Sequence, residues 1–141
     1  MAGYGTTFMK AINDQVFGKA AFTNPNGVMY IGLHTADPGV DGQTANEVSG
    51  GSYARKLTAA TDWNASTNAD PAVTTNATSL AFPTATASWG TVTHFSLWRT
   101  VSGTTAADFI GRGALTASQA IASGNTASFA AGAISHSFDS V

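Results

Sequence analysis

Residues 82–98 read FPTATASWGTVTHFSLW, and this stretch decides the fold. A short strand is expected to end at Phe82, where Pro83 blocks its continuation and a small polar loop follows. Trp89-Gly90 then turns the chain into a second strand. Successive side chains of a strand point to opposite faces. Val92, His94, Ser96 and Trp98 therefore share one face, and Thr93, Phe95 and Leu97 the other. Both faces carry large apolar groups, so this strand belongs in the middle of a sandwich or beneath a partner subunit. Phe95 and Trp98 anchor different layers and cannot share a ligand platform. Nothing in the stretch is arranged for catalysis, and the whole chain reads as a building block rather than an enzyme.

Composition agrees with that reading. The 141 residues are expected to form one domain over 1–141, long enough to bury a core. Hydrophobic residues make up 43% of the chain but charged residues only 10%, against about 25% in ordinary globular proteins. Ala, Thr, Ser, Gly and Asn fill the difference. A polar but uncharged surface has little repulsion to keep copies apart, and it suits a protein docked against others. Six Lys and Arg and a net charge of -2 argue against a nucleic-acid partner, which needs clustered cations. There is no cysteine, so disulfides and thiolate metal sites play no part. No apolar run approaches the roughly 20 residues that span a bilayer, so no membrane partner is expected. The opening MAGYGTTFMK lacks the basic start and apolar block of a signal peptide, which implies synthesis in the cytoplasm.

One helix is expected, within 4–18. Phe8, Ile12 and Val16 recur every fourth residue with Met9 beside them, Thr6 or Thr7 can cap the start, and Gly18 can end it. After the turn Asn24-Pro25-Asn26-Gly27 the pattern changes to strands: Val28–His34, Tyr53–Ala60, Ser79–Phe82, Val92–Trp98, Phe109–Leu115, Ala127–Phe129 and Ala133–Phe138. Arg55 and Lys56 both fall in the second strand, so at least one of them is expected near a solvated rim. Short strands without crossover helices indicate an antiparallel β-sandwich, jelly-roll-like, with one N-terminal helix. Two soft segments interrupt it, Thr35–Ser52 and Asp62–Thr75, and the first is too long for an ordinary connection.

The chemistry available is thin. His34, His94 and His136 all fall on strands, without the close pairing or neighbouring carboxylates of a metal site. The acidic loop invites a calcium reading. Counting from Asp37, Asp41 falls at the fifth position and Gly42 at the sixth. Gly39, however, stands where a third ligand is needed, and Val48 where the closing glutamate belongs. No GxSxG is present, and Ser52 after two glycines is turn chemistry. Trp63, Trp89 and Trp98 would form a sugar platform only if exposed together. No cofactor or metal is expected.

Four segments carry a family resemblance: YIGLHTADPG, EVSGGSYAR, FPTATASWGTVTHFSLW and GRGALTASQAIASGNTASFAAGAISHSFD, in this order. They resemble a family of small tailed-bacteriophage virion proteins, often labelled tail fibre or minor structural proteins. The likeness runs from about Val28 onward, with SGGSYAR and WGTVTHF its specific parts. It implies a β-sandwich assembly protein without enzymatic activity. A capsid decoration, or cement, protein bound to the major capsid protein lattice is the leading expectation, placing the chain on the capsid surface. A tail-fibre base or tail-tip adaptor is the alternative, and a carbohydrate-binding module a further one. A homotrimer is expected, since closed rotational symmetry is usual in such assemblies. Phe8, Ile12 and Val16 on the helix, Asp37, Pro38 and Asp41 in the long loop, and Trp98 are the candidate interface residues.

Overall fold

The computed structural model describes residues 3–23 and 25–138, so Asn24 of the expected turn lies outside the described residues. The elements run β1 (Gly3–Tyr4), α1 (Thr6–Val16), β2 (Met29–His34), β3 (Lys56–Thr58), β4 (Ala72–Thr75), β5 (Leu80–Thr84), β6 (Gly90–Trp98), β7 (Phe109–Ile121), β8 (Thr126–Phe129) and β9 (Ser135–Phe138). A single turn of 3-10 helix, Ala60–Asp62, follows β3. The fold is mainly β, its sheets are antiparallel, and among the described residues one α-helix stands near the N-terminus.

β6 is the central strand of a five-stranded sheet ordered β1-β7-β6-β2-β3. On one side Phe95 faces Leu33 and Leu97 faces Ile31 of β2. On the other, Phe95 faces Gly113 and Leu97 faces Gly111 of β7. Phe95, Leu97, Ile31 and Leu33 join Leu80 and Phe82 of β5 and Ala127 and Phe129 of β8 in one buried cluster. The second layer is therefore two ribbons, β5–β8 and β4–β9, rather than one continuous sheet. Asn76, wholly buried, fastens the ribbons. Its amide donates to the carbonyls of Thr78 (2.7 Å) and Ala130 (2.8 Å) and accepts from the Ile134 N–H (2.8 Å). A buried amide satisfied on both ends holds its neighbours in one register.

The opposite face of the large sheet is also covered, as the two-faced apolar pattern of β6 requires. His34, Ser96 and Trp98 point there, all with no exposed surface, and Trp98 packs edge-on to Phe109 at 5.1 Å. The Thr35–Ser52 segment lies over this face as a strap. It returns along β2 through Thr35 N–H to Asn46 O and Val48 N–H to Leu33 O, both 2.9 Å. Gly42 has φ +71 and sits so close that a Cβ there would stand 2.5 Å from the Phe109 ring. Only glycine combines that backbone with that approach.

Several expectations need correction. The strand does not end at Phe82: β5 continues through Pro83 to Thr84, because the register slips by one residue between Ala81 and Thr84 and a bulge needs no N–H from proline. Val92 does not share the face of Trp98 but joins the cluster of Phe95 and Leu97. A large bulge between Val92 and His94 rotates the strand, and β7 spends the residues from Leu115 to Ser118 opposite Thr93 alone. The strand expected at Tyr53–Ala60 is only Lys56–Thr58. Tyr53 and Arg55 leave the ladder to place their side chains under the strap, so Lys56 is the one at the rim.

The helix starts without a threonine cap: its N-cap is Gly5, and the Thr6 N–H is taken by the Val40 carbonyl at 3.2 Å. Its end is as expected. Gly18, at φ +64, donates to Gln15 O (3.2 Å) and Lys19 to Asp14 O (2.7 Å), the paired bonds of a Schellman motif.

Candidate functional site

Two places concentrate the side chains that act beyond simple packing. The first is a polar seam beneath the strap. Glu47 accepts from Arg55 Nε and Nη2, both at 2.7 Å, and from the Tyr53 hydroxyl at 3.0 Å. Arg55 also lies over the Trp98 ring, its guanidinium carbon 4.0 Å from the centroid. The Trp98 indole N–H donates to Ser96 Oγ at 2.6 Å, and Ser96 Oγ is 2.7 Å from His34 Nε2. Gly32 makes room for this: a Cβ there would fall 2.6 Å from Ser96 Oγ and 3.0 Å from Glu47 Oε1. Burial pushes the His34 pKa down to about 4, so the ring is neutral near pH 7. Burial and the Glu47 charge push the Tyr53 hydroxyl well up. The bonds of the seam fasten the strap to the sheet, although His34 bonds through Nε2 only and its buried Nδ1 has no hydrogen-bond partner.

At the strap's outer end Asp37 accepts from the Gly39 N–H (2.8 Å) and pairs with Arg112 Nε (2.6 Å). Burial alone would raise its carboxyl, but the Gly39 bond and the Arg112 charge outweigh it and hold the pKa below the usual range. Among the described residues, no three His, Asp or Glu side chains gather as a metal site.

The second place is an apolar cleft of about 340 Å³ where α1 and the β4–β9 ribbon meet the large sheet. Tyr4, Phe8 and Ile12 form one wall, Trp63 and Thr74 another, and Leu97 lies deeper. Phe8 is held by Tyr4, stacked at 5.0 Å, and by Phe22, edge-on at 5.2 Å, with Arg99 above both rings. His136 packs against Tyr4 at 4.5 Å, and burial lowers its pKa.

The structure distributes the candidate interface residues over both places. Phe8 is buried and anchors the helix, Ile12 is half-buried in the cleft wall, and Val16 is exposed. Pro38 is buried in the strap, Asp37 is ion-paired, and Asp41 is exposed. Trp98 has no exposed surface at all. Trp89 is buried too, donating to the Gly51 carbonyl at 3.0 Å, and Trp63 is half-buried, so the three tryptophans share no exposed platform. Sequence reasoning met Glu47 only as a carboxylate of the calcium-like loop and Arg55 only as a candidate for the solvated rim, and it did not single out Tyr53 or Phe17. The signal for the first three lay in EVSGGSYAR, where a buried-looking strand carries an arginine beside a glutamate-bearing loop.

A layered antiparallel fold with a tied-down strap and an open apolar cleft has the architecture of a β-sandwich structural protein. Residues 3–137 match the family described as podophage GP4 fiber I protein gp80, and the chain belongs to this family of tailed-phage virion structural proteins. No curated protein matches the chain. Among the described residues, no helix is long and apolar enough to cross a membrane.

Proposed function

We propose that the chain is a non-catalytic module of the tail fibre, joined to other virion proteins through its exposed apolar surface. The observation that carries this reading is the family match, which spans nearly the whole chain and whose description is that of a fibre protein. The seam agrees with it: Glu47, Arg55 and His34 serve the chain's own packing, as expected of a part whose task is to hold shape. Exposed Met9, Val16 and Phe17 on and after α1 are the surface a neighbour would cover.

Copy number tests the reading. Quantitative mass spectrometry of purified virions should find this protein at a small fraction of the major capsid protein. A ratio near that of the capsid protein would instead favour the decoration reading and defeat the fibre one.

A further inference from the structure

His34 ends β2 directly before the strap begins, and it pairs across the backbone with Glu47 on the strap's return. Its ring has no exposed surface and bonds only through Nε2, to Ser96 Oγ, while the buried Nδ1 has no partner. Ser96 Oγ already accepts from the Trp98 indole, which can only donate. A neutral imidazole carries one N–H, whereas the imidazolium carries two and needs two acceptors. Beneath the closed strap it finds one at most, so a charged ring would be buried and half-bonded, a costly state. The carboxylates facing it do not supply the second acceptor. Glu47, from the strap, is committed to Arg55 and Tyr53. Asp37, also from the strap, is committed to Arg112 of β7 and to the Gly39 N–H. Arg55, from the segment before β3, and His94, directly opposite on β6, both oppose a further positive charge.

The strap above the ring is lightly held. Apart from glycine, only Pro38 and Val48 of its residues are buried. Its other ties are polar: the seam, the Asp37–Arg112 pair, the Thr6 N–H on Val40 O, and the Thr35 and Val48 bonds along β2. A segment with few buried apolar groups opens more readily than the sheet beneath it. We propose that the strap is an acid-operated lid: a proton on His34 requires the strap to lift, and below neutral pH the lifted form, with Trp98 and Phe109 uncovered, becomes populated over a sandwich that stays folded. Burial supports the direction. In the closed form the His34 pKa is down to about 4, and lifting returns the ring to water and to its ordinary value of 6.5. Lifting therefore takes up a proton between these values. The closed form keeps its full advantage above about pH 6.5 and loses it as pH falls toward 4. This inference does not depend on where the protein sits on the virion.

Hydrogen exchange of the natural chain at pH 7 and pH 5, read as protection factors, tests this. The amides of Thr35 and Val48, which fasten the strap along β2, should be less protected than those of Phe95 and Leu97 in β6 at both pH values. From pH 7 to pH 5 the protection of the strap amides should fall about twentyfold, the ratio set by pKa values of 6.5 and about 4. His34→Gln, neutral throughout, should hold the fall below about threefold, and His94→Gln should leave it in place. Strap amides as protected as those of β6 would mean that strap and sheet open together, and would overturn the proposal. So would a fall below about threefold in the natural chain, a full fall in His34→Gln, or its loss in His94→Gln. The natural chain and His94→Gln carry the test by themselves if His34→Gln does not fold.

Discussion

Arg55 lies over Trp98, 4.0 Å from the ring centroid, while two of its nitrogens grip Glu47 at 2.7 Å each. The side chains of this ion pair are only 5% and 11% exposed. Removing one partner would strand a charge in a low-dielectric site, at a typical cost of about 3–5 kcal/mol. Glu47→Gln should therefore lower stability by about 3 kcal/mol in urea unfolding. Arg55→Met added to it should recover part of the loss, because no unpaired charge then remains. A Glu47→Gln penalty below about 1 kcal/mol would mean that the seam does not hold the strap.

Acid should destabilise the protein before most carboxylates titrate. The folded pKa of His34 is about 4 against an unfolded value of 6.5, so between these values the unfolded chain binds the extra proton. Stability from this group is full above about pH 6.5 and is lost as pH falls toward 4, by about 3 kcal/mol at most. His136 shifts in the same direction through burial. At the alkaline end Tyr53, raised by burial, contributes stability that is lost as pH climbs past its unfolded value of 10.0. Urea midpoints at pH 7 and pH 4.5 check the acid limb: His34→Gln should reduce the difference between them, and an unchanged difference would remove His34 as its source.

Close approach of the strap gives a third expectation. Gly42→Ala places a methyl group against the Phe109 ring on a backbone of φ +71. Overpacking of this kind typically costs about 1–3 kcal/mol. Gly124→Ala, at φ +86 but with nothing within 4 Å, carries the backbone strain alone and should cost less. Equal melting of the two variants would show that the strap yields freely.

Phe95 and Trp98 are both inside the chain, on opposite faces of β6. Truncating a buried aromatic to Ala costs about 3–5 kcal/mol. Phe95→Ala and Trp98→Ala should both melt well below the natural protein, so Trp98 acts on stability before it can affect assembly. A Trp98→Ala variant of normal melting temperature would contradict the covered second face.

The two-faced pattern of β6 made the central strand and its sandwich readable, and Gly18 marked the helix end, because both signals are local. The bulges at Pro83 and Thr93 were not readable. A bulge depends on how partner strands differ in length, and β7 runs to Ile121 rather than to Leu115. β4 was hidden in the soft Asp62–Thr75 segment because Ala72–Thr75 is held by pairing with β9, from far along the chain. The seam escaped notice for the same reason: Glu47, Arg55 and Trp98 converge only when the strap folds over the sheet. On the helix, the Phe8, Ile12 and Val16 stripe was visible as one face, but not that it runs from the core through the cleft to the surface.

Gold labelling of intact virions with an antibody to this protein tests the central claim most directly. The fibre reading predicts label confined to the tail and its appendages. Label spread over the head lattice would contradict it and place the chain on the capsid.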